Sequence, residues 1–385
     1  MDVTITTTIY PPEIGGPATY AYEIKNRLEE KGHTVKIVTT SKIAKVESGV
    51  YKLPPKYNYK FIGFIIHQIQ LFLFLNKISK DSDIIYTLNP HFLGFTSALC
   101  GLISNKPVLL RYAGEKLWES AVNKNITILE PNTYLRGLDL NLYQKIVFRV
   151  QKGVMELSKK IIVPSKAAGM VIKEFYGVNP DKIAVIPNSI EYKSSFSYKK
   201  GIQDKCDSIT IISVGRLIKL KRVEDVIKIF KDINNLYPNA KLTIVGDGPE
   251  KGYLMKLAEN LSIGNSVNFT GNLNKSELID EYMKSDLLVL NSIYETFSHV
   301  LIEAMLYGVS VVTTTKGGPE EIVVDGKNGL IAGSERRSLK KAIKKLIENK
   351  SLRKELSKNA YVTLRDKFDW EINLILLEKE LESLL

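Results

Sequence analysis

The sequence predicts an α/β protein of two Rossmann-like domains, each a parallel sheet covered by helices, with parallel sheets facing a cleft between the domains. Three observations predict it. Short apolar runs alternate with helical periodicity along the whole chain, the pattern of strands joined by crossover helices. The length, 385 residues, exceeds the usual reach of one hydrophobic core. A stretch poor in apolar residues and rich in Lys, Ser and Tyr, 194–208, interrupts the pattern near the middle and is the expected linker.

Residues 3–9 read as the first strand and 18–31 as the helix after it. Runs at 35–39, 84–88, 108–111 and 161–163 continue the same sheet, and 183–186 leads into Pro187-Asn188-Ser189. The second sheet starts at 209–214 and continues through 242–245, 267–270, 287–290 and 309–313, each run apolar and followed by turn or helix-start residues. A last helix spans about 370–384, with Ile372, Leu376 and Leu377 on one apolar stripe. The domains are expected at 1–190 and 191–369. Ligands of open α/β sheets sit outside the carboxyl ends of the strands, which places the site in the interdomain cleft.

Composition narrows the class. Hydrophobic residues at 44% and charged residues at 25% are those of a soluble globular chain. Cys100 and Cys206 lie far apart without metal-ligand spacing, which argues against a disulfide framework and for a reducing, cytoplasmic compartment. Met1 to Ile5 shows neither the basic nor the apolar region of a secretory signal. The longest apolar stretch, 61–75, contains His67, Gln68 and Gln70 and falls short of the roughly 20 residues that cross a bilayer, so it reads as a buried or surface-lying helix. The net charge of +12 is spread over helix faces, as at Lys340, Lys341, Lys344 and Lys345. Without aromatics interleaved among the basic residues, or a recognisable finger, it does not indicate a nucleic-acid partner. Lys52, Lys56 and Lys60 flank the 61–75 helix and make peripheral contact with an anionic membrane a secondary expectation.

The chemistry concentrates between Ser292 and Met305. Glu295 and Glu303 stand eight residues apart across a loop-to-helix junction, so that one carboxylate faces a pocket from the loop and the other sits on the helix. The backbone N–H groups of Thr296, Phe297 and Ser298 between them offer an anion site. Upstream, Arg216 lies just past a strand end within Gly215-Arg216-Leu217, and Lys221 follows five residues later. Forked guanidinium donors and a mobile ammonium together suit a diphosphate. Gly15-Gly16-Pro17 follows the first strand, its glycines permitting close backbone approach to an anion. The segment Val245-Gly246-Asp247-Gly248-Pro249-Glu250 lacks the third glycine of a dinucleotide fingerprint, and Asp247 would repel a pyrophosphate, so a nicotinamide site is rejected. Gly317-Gly318-Pro319-Glu320-Glu321-Ile322-Val323 forms a turn that opens a helix.

In this order the segments resemble the GT-B retaining glycosyltransferases of family 4 (glycosyl transferases group 1), over nearly the whole chain. The resemblance implies transfer of a sugar from a nucleotide-sugar donor to an acceptor hydroxyl, with retention of anomeric configuration. Arg216 and Lys221 would hold the donor phosphates and stabilise the leaving nucleoside diphosphate. Glu303 would accept hydrogen bonds from the ribose hydroxyls, and Glu295 would orient the donor sugar or support charge at its anomeric carbon. The Gly15-Gly16 loop would meet the phosphates as the cleft closes, Gly246 and Gly271 would shape the nucleotide wall, and the Gly317-Gly318 turn would lie beside the donor sugar. Acceptor recognition would fall to the first domain, with a saccharide or lipid-linked acceptor, and the 370–385 helix would cross back onto that domain. No Asp-x-Asp metal motif lies beside these sites. Arg216 and Lys221 replace a divalent cation in this reading, and no cofactor is expected beyond the nucleotide-sugar co-substrate.

Two departures from the pattern stand out. The family histidine that touches the donor sugar corresponds to Ala113 within Arg111-Tyr112-Ala113-Gly114-Glu115, so either Glu115 or Arg111 substitutes or catalysis does without it; His91 is too distant in sequence to assume. The glycine usual after Glu-x-Phe is Ser298, a good helix N-cap residue. The alternative readings are a nucleotide-sugar epimerase using the same cleft, and a catalytically silent sugar-nucleotide-binding or membrane-scaffold protein.

Overall fold

The computed structural model describes residues 1–13, 15–42, 47–54, 62–124, 126–137, 139–191, 208–314 and 316–385. Residues 194–207 of the expected linker, with Lys56, Lys60 and Cys206, lie outside the described residues.

The first sheet contains β1 (Asp2–Thr7), β2 (Thr34–Thr39), β3 (Val50–Lys52), β4 (Ile84–Thr87), β5 (Val108–Arg111), β6 (Lys160–Val163) and β7 (Ile183–Val185). Its order is β3-β2-β1-β4-β5-β6-β7, with every pairing parallel. The helices of this half are α1 (Gly16–Glu30), α2 (Ile62–Ile78), α3 (Phe92–Ile103), α4 (Lys116–Asn123), α5 (Pro131–Arg136), α6 (Leu142–Leu157) and α7 (Lys166–Tyr176). Strand β1 ends two residues earlier than the sequence pattern predicts, because Thr7 Oγ1 donates to the Ile9 carbonyl at 2.9 Å as the chain turns out of the sheet.

The second half contains β8 (Thr210–Val214), α8 (Val223–Leu236), β9 (Lys241–Val245), α9 (Lys251–Asn260), β10 (Val267–Gly271), α10 (Lys275–Lys284), β11 (Leu287–Leu290), β12 (Tyr294–Glu295), α11 (His299–Leu306), β13 (Ser310–Thr313), β14 (Lys316–Gly317), α12 (Pro319–Ile322), β15 (Leu330–Ile331), α13 (Arg336–Glu348), α14 (Lys350–Lys367) and α15 (Trp370–Glu382). Its main sheet runs β10-β9-β8-β11-β13-β15, while β12 and β14 pair separately. The central strands β4 (Ile-Ile-Tyr-Thr) and β11 (Leu-Leu-Val-Leu) are buried at every residue, as strands covered by helices on both faces must be.

In both sheets the order reverses beside the first strand, between β1 and β4 and between β8 and β11. The loops leaving β1 and β8, which carry Gly15-Gly16 and Gly215-Arg216, therefore open at the two switch points where ligands of such sheets bind. Helix α15 returns to the first sheet, where Trp370, Leu374, Leu377 and Leu381 join a cluster containing Val3, Ile5, Ala21 and Ile24. Its buried face is offset from the stripe read in the sequence: Ile372 and Leu376 face solvent at 37% and 41% exposure. Trp370 sets the face by packing 5.8 Å from the Tyr20 ring, a partner from α1 that periodicity alone does not reveal.

Candidate active site

The two halves meet along a cavity of about 820 Å³, the size that holds a small organic ligand. Its first-domain wall includes Gly16, Tyr20, Arg111, Ala113 and Glu119, and its second-domain wall includes Lys275, Glu295, Thr296, Phe297, His299 and Glu303. A larger recess of about 1100 Å³ lies between residues 128–133 and the 218–225 loop, and none of Arg216, Lys221, Glu295 and Glu303 lines it.

The walls are locked together by contacts between the domains. Trp118 meets Tyr294 edge to face at 5.4 Å, and Ser165 Oγ donates to the Thr296 carbonyl at 2.7 Å. Glu321 accepts the backbone N–H groups of Lys166 and Ala167 at 2.9 and 3.1 Å, so a carboxylate of the second domain satisfies the first turn of α7 in the first. Arg216, exposed beyond β8, donates through Nη1 to Asn123 Oδ1 at 2.7 Å.

The predicted residues divide into groups. Glu295 projects from β12 and accepts from both Lys221 Nζ and Ser292 Oγ on one oxygen, the latter at 2.6 Å. Two loops distant in sequence thus hold an ammonium and a carboxylate together at the cleft. Glu303, one turn into α11, accepts from the Tyr282 hydroxyl at 3.0 Å; burial raises its pKa above the usual carboxylate value, partly opposed by that bond and by Lys275. Thr296 and Phe297 line the cavity, and Ser298 is the N-cap residue of α11, yet its side chain makes no cap bond, contrary to the expectation for serine there. Its φ and ψ of −125° and 100° fit a cap, so the first-turn donors of α11 are left without a side-chain acceptor.

Gly16 lies against the cavity with nothing within 4 Å of where a Cβ would stand, whereas a Cβ on Gly15 would come 2.8 Å from the Ile9 side chain. Gly246 and Gly271 are not among the cavity-lining residues. They shape the backbone at the ends of β9 and β10, where Gly246 N–H donates to the Gly271 carbonyl at 2.8 Å. Gly246 has φ 129°, and a Cβ there would stand 2.0 Å from the Gly215 carbonyl oxygen, so only glycine lets the β9 loop pass beneath Arg216.

The two candidates offered in place of the missing histidine separate. Glu115 does not line the cavity: it is buried as the N-cap of α4, accepting from Trp118 N–H at 2.8 Å, Gln151 Nε2 at 3.0 Å and the Tyr176 hydroxyl at 2.5 Å. Arg111 does line it, beside exposed Ala113. Glu119 and His299 are among the cavity residues that escaped the sequence reading. Glu119 packs over Gly114, where a Cβ would come 1.9 Å from its Oε1, and desolvation with the nearby charge of Glu115 pushes its pKa up to about 7. Desolvation inside the cleft and the charge of Arg111 lower the pKa of His299 to about 4, leaving a neutral imidazole. The signals were present, a Glu on the turn after Ala113-Gly114 and a His directly after Ser298, but only the closed cleft shows which way they face.

Comparison with known proteins agrees with this architecture. Residues 14–193 match the model of Glycosyltransferase Family 4, and residues 196–363 match that of Glycosyl transferases group 1. An uncharacterised glycosyltransferase of Methanocaldococcus jannaschii is 30% identical over 97% of this chain and 96% of its own length. The N-acetyl-alpha-D-glucosaminyl L-malate synthase of Bacillus anthracis is 25% identical over 86% of this chain and 84% of its own. The crystal structure of Anabaena HepE in complex with UDP and glucose superimposes with a TM-score of 0.74 at 19% identity, covering 99% of both chains. The fold and its cleft define a GT-B glycosyltransferase. The chain belongs to the group 1, family 4 glycosyltransferases and is a transferase enzyme.

Proposed function

We propose that this enzyme transfers a sugar from a nucleotide-sugar donor to an acceptor hydroxyl with retention of configuration. The observation that carries the reading is the convergence on one cleft of Glu295, itself paired with Lys221, of Glu303 and of the uncapped first turn of α11, opposite Gly16. Glu303 would accept the ribose hydroxyls and the α11 N–H groups the diphosphate. Lys221 and Arg216, whose Nε and Nη2 have no protein partner among the described residues, would neutralise charge as the diphosphate departs. The acceptor would attack on the face the diphosphate leaves, a phosphate oxygen taking its proton, and Glu295 would orient the donor sugar. Catalysis would rest on positioning and electrostatics without a divalent cation.

The test is a thermal-shift panel of UDP, GDP, ADP, dTDP and their sugars, without metal, on the wild type, Glu303→Ala and Arg216→Ala. UDP is the first choice because the similar HepE structure holds it. Selective stabilisation by one nucleoside diphosphate, weakened in both variants, supports the reading, and stabilisation by none refutes it. Transfer undiminished by excess EDTA supports metal independence; an absolute requirement for manganese refutes it.

A peripheral membrane contact is favoured by α2. Gly63, His67, Leu71 and Leu75 are buried at four-residue spacing, while Ile62, Ile69 and Leu73 stand 65%, 56% and 61% exposed on a helix without an acidic side chain. No helix among the described residues is long and apolar enough to cross a membrane. Pelleting with anionic liposomes at low salt, reduced in Ile69→Ser with Leu73→Ser, is the expected result. Failure to pellet would exclude the contact.

A further inference from the structure

A guanidinium is permanently charged, and removing it from water is tolerated when a carboxylate or a full set of acceptors compensates. Among the described residues two arginines are buried, Arg111 at 3% exposure and Arg353 at 7%. Arg353 serves a structural purpose, since its Nη1 donates to the carbonyls of Leu346 and Ile347 in the last turn of α13, where the helix dipole favours a cation.

Arg111 caps no helix. It is the last residue of β5, at the carboxyl end of the first sheet, and it lines the cleft. Nη2 donates to Asn188 Oδ1 at 2.5 Å, and the guanidinium carbon lies 4.1 Å from the ring centroid of Tyr20, whose hydroxyl hydrogen-bonds that of Tyr86 at 3.0 Å. These neutral partners hold the guanidinium in place without neutralising it. Nη1 has no partner, and no carboxylate among the described residues lies within ion-pairing distance. The carboxylates that share the cleft are engaged elsewhere or act on other groups. Glu295 binds Lys221, Glu303 binds Tyr282, Glu23 binds Arg27 at 3.3 Å, and the charge of Glu191, the remaining carboxylate of the lining, acts on Tyr307. The charges acting on Glu119 are those of Glu115 and Lys116.

We propose that Arg111 is the counter-ion for an anionic substituent, a carboxylate or phosphate, on the substrate that occupies the first-domain side of the cleft. The proposal rests on the transferase reading above and narrows its substrate class. The anion belongs either to the transferred sugar or to the acceptor, and a charge-assisted hydrogen bond in this setting gives a preference of about tenfold or more over a neutral analogue.

Calorimetric titrations separate the two sources. For the donor arm, UDP-glucuronate is compared with UDP-glucose. For the acceptor arm, glucuronate and glucose 6-phosphate are compared with glucose, with and without saturating UDP. The expected result is a preference of about tenfold or more for the anionic probe in one arm, lost in Arg111→Gln and retained in Arg111→Lys. No preference in either arm, or a preference that survives in Arg111→Gln, overturns the proposal. Should Arg111→Gln fail to fold, sulfate competition on the wild type at constant ionic strength decides: sulfate must weaken the anionic probe and spare the neutral one, and equal effects overturn the proposal. The titrations without nucleotide keep the two readings apart, because loss of UDP binding alone counts against the transferase reading and not against Arg111.

Discussion

Lys221 and Glu295 form an ion pair between the segment that follows β8 and strand β12, with Ser292 Oγ donating to the same carboxylate oxygen at 2.6 Å. The contact holds the ammonium at the cleft before any phosphate arrives. Lys221→Ala is expected to lower turnover by about 10²–10³-fold, the scale of losing one charge-stabilising group in a transition state. The folded protein should melt near the wild-type temperature, because the pair is partly solvated. Nucleoside diphosphate release and a thermal melt check both. Equal collapse of stability and turnover would assign the pair a structural role instead.

The hydrogen bond from Tyr282 to Glu303 predicts a pH-dependent affinity. Burial raises the Glu303 pKa, and only the ionised carboxylate accepts from two hydroxyls at once. Nucleoside diphosphate affinity should therefore fall as pH drops through the raised pKa, and Glu303→Ala should weaken binding at pH 8 by roughly tenfold or more. Titrations at pH 5 and pH 8 test this. A pH-independent affinity in the wild type would rule out Glu303 as the responsible group.

Glu119 predicts a stability profile of opposite sense to an ion-paired acid. Its folded pKa of about 7 lies above the ordinary 4.5, so the folded protein binds more protons than the unfolded chain between those values. Its contribution to stability therefore falls as pH rises from about 4.5 to 7 and is level above that. Glu119→Gln removes the dependence. The melting-temperature difference between Glu119→Gln and wild type should be more positive at pH 8 than at pH 5 by about 2 °C or more. An identical difference at both pH values would show that the carboxyl titrates normally.

Glu321 couples the halves by satisfying two backbone N–H groups of α7. Glu321→Ala is expected to cost about 1 kcal/mol of stability, as loss of a helix cap does. It should also enlarge the radius of gyration measured by small-angle scattering, because two polar ties between the halves are lost. An unchanged radius would place domain closure on the Trp118 and Tyr294 contact instead.

Much of the fold is legible in the sequence because each domain repeats one local rule. A short apolar run followed by helical periodicity specifies strand and crossover, and the parallel order follows from handed connections. Strands β3 and β15, of three and two residues, escape that rule because so short a run carries no period. Periodicity also misplaces the buried face of α15 at Ile372 and Leu376, since a helix apolar on several sides leaves the choice to its partner, here Tyr20 and the first sheet.

By itself, the sequence determined the two-domain α/β class and the family, because backbone periodicity and ordered motifs such as Glu295 to Glu303 are properties of contiguous segments. Tertiary structure alone decided which polar groups share the cleft. It joined Lys221 to Glu295 across 74 residues, turned Glu115 inward as a cap while leaving Glu119 to face the cavity, and left Arg111 buried without a countercharge. The physical reason is that a side chain's ionisation and role depend on desolvation and on neighbours brought from distant segments, and neither is encoded in local spacing.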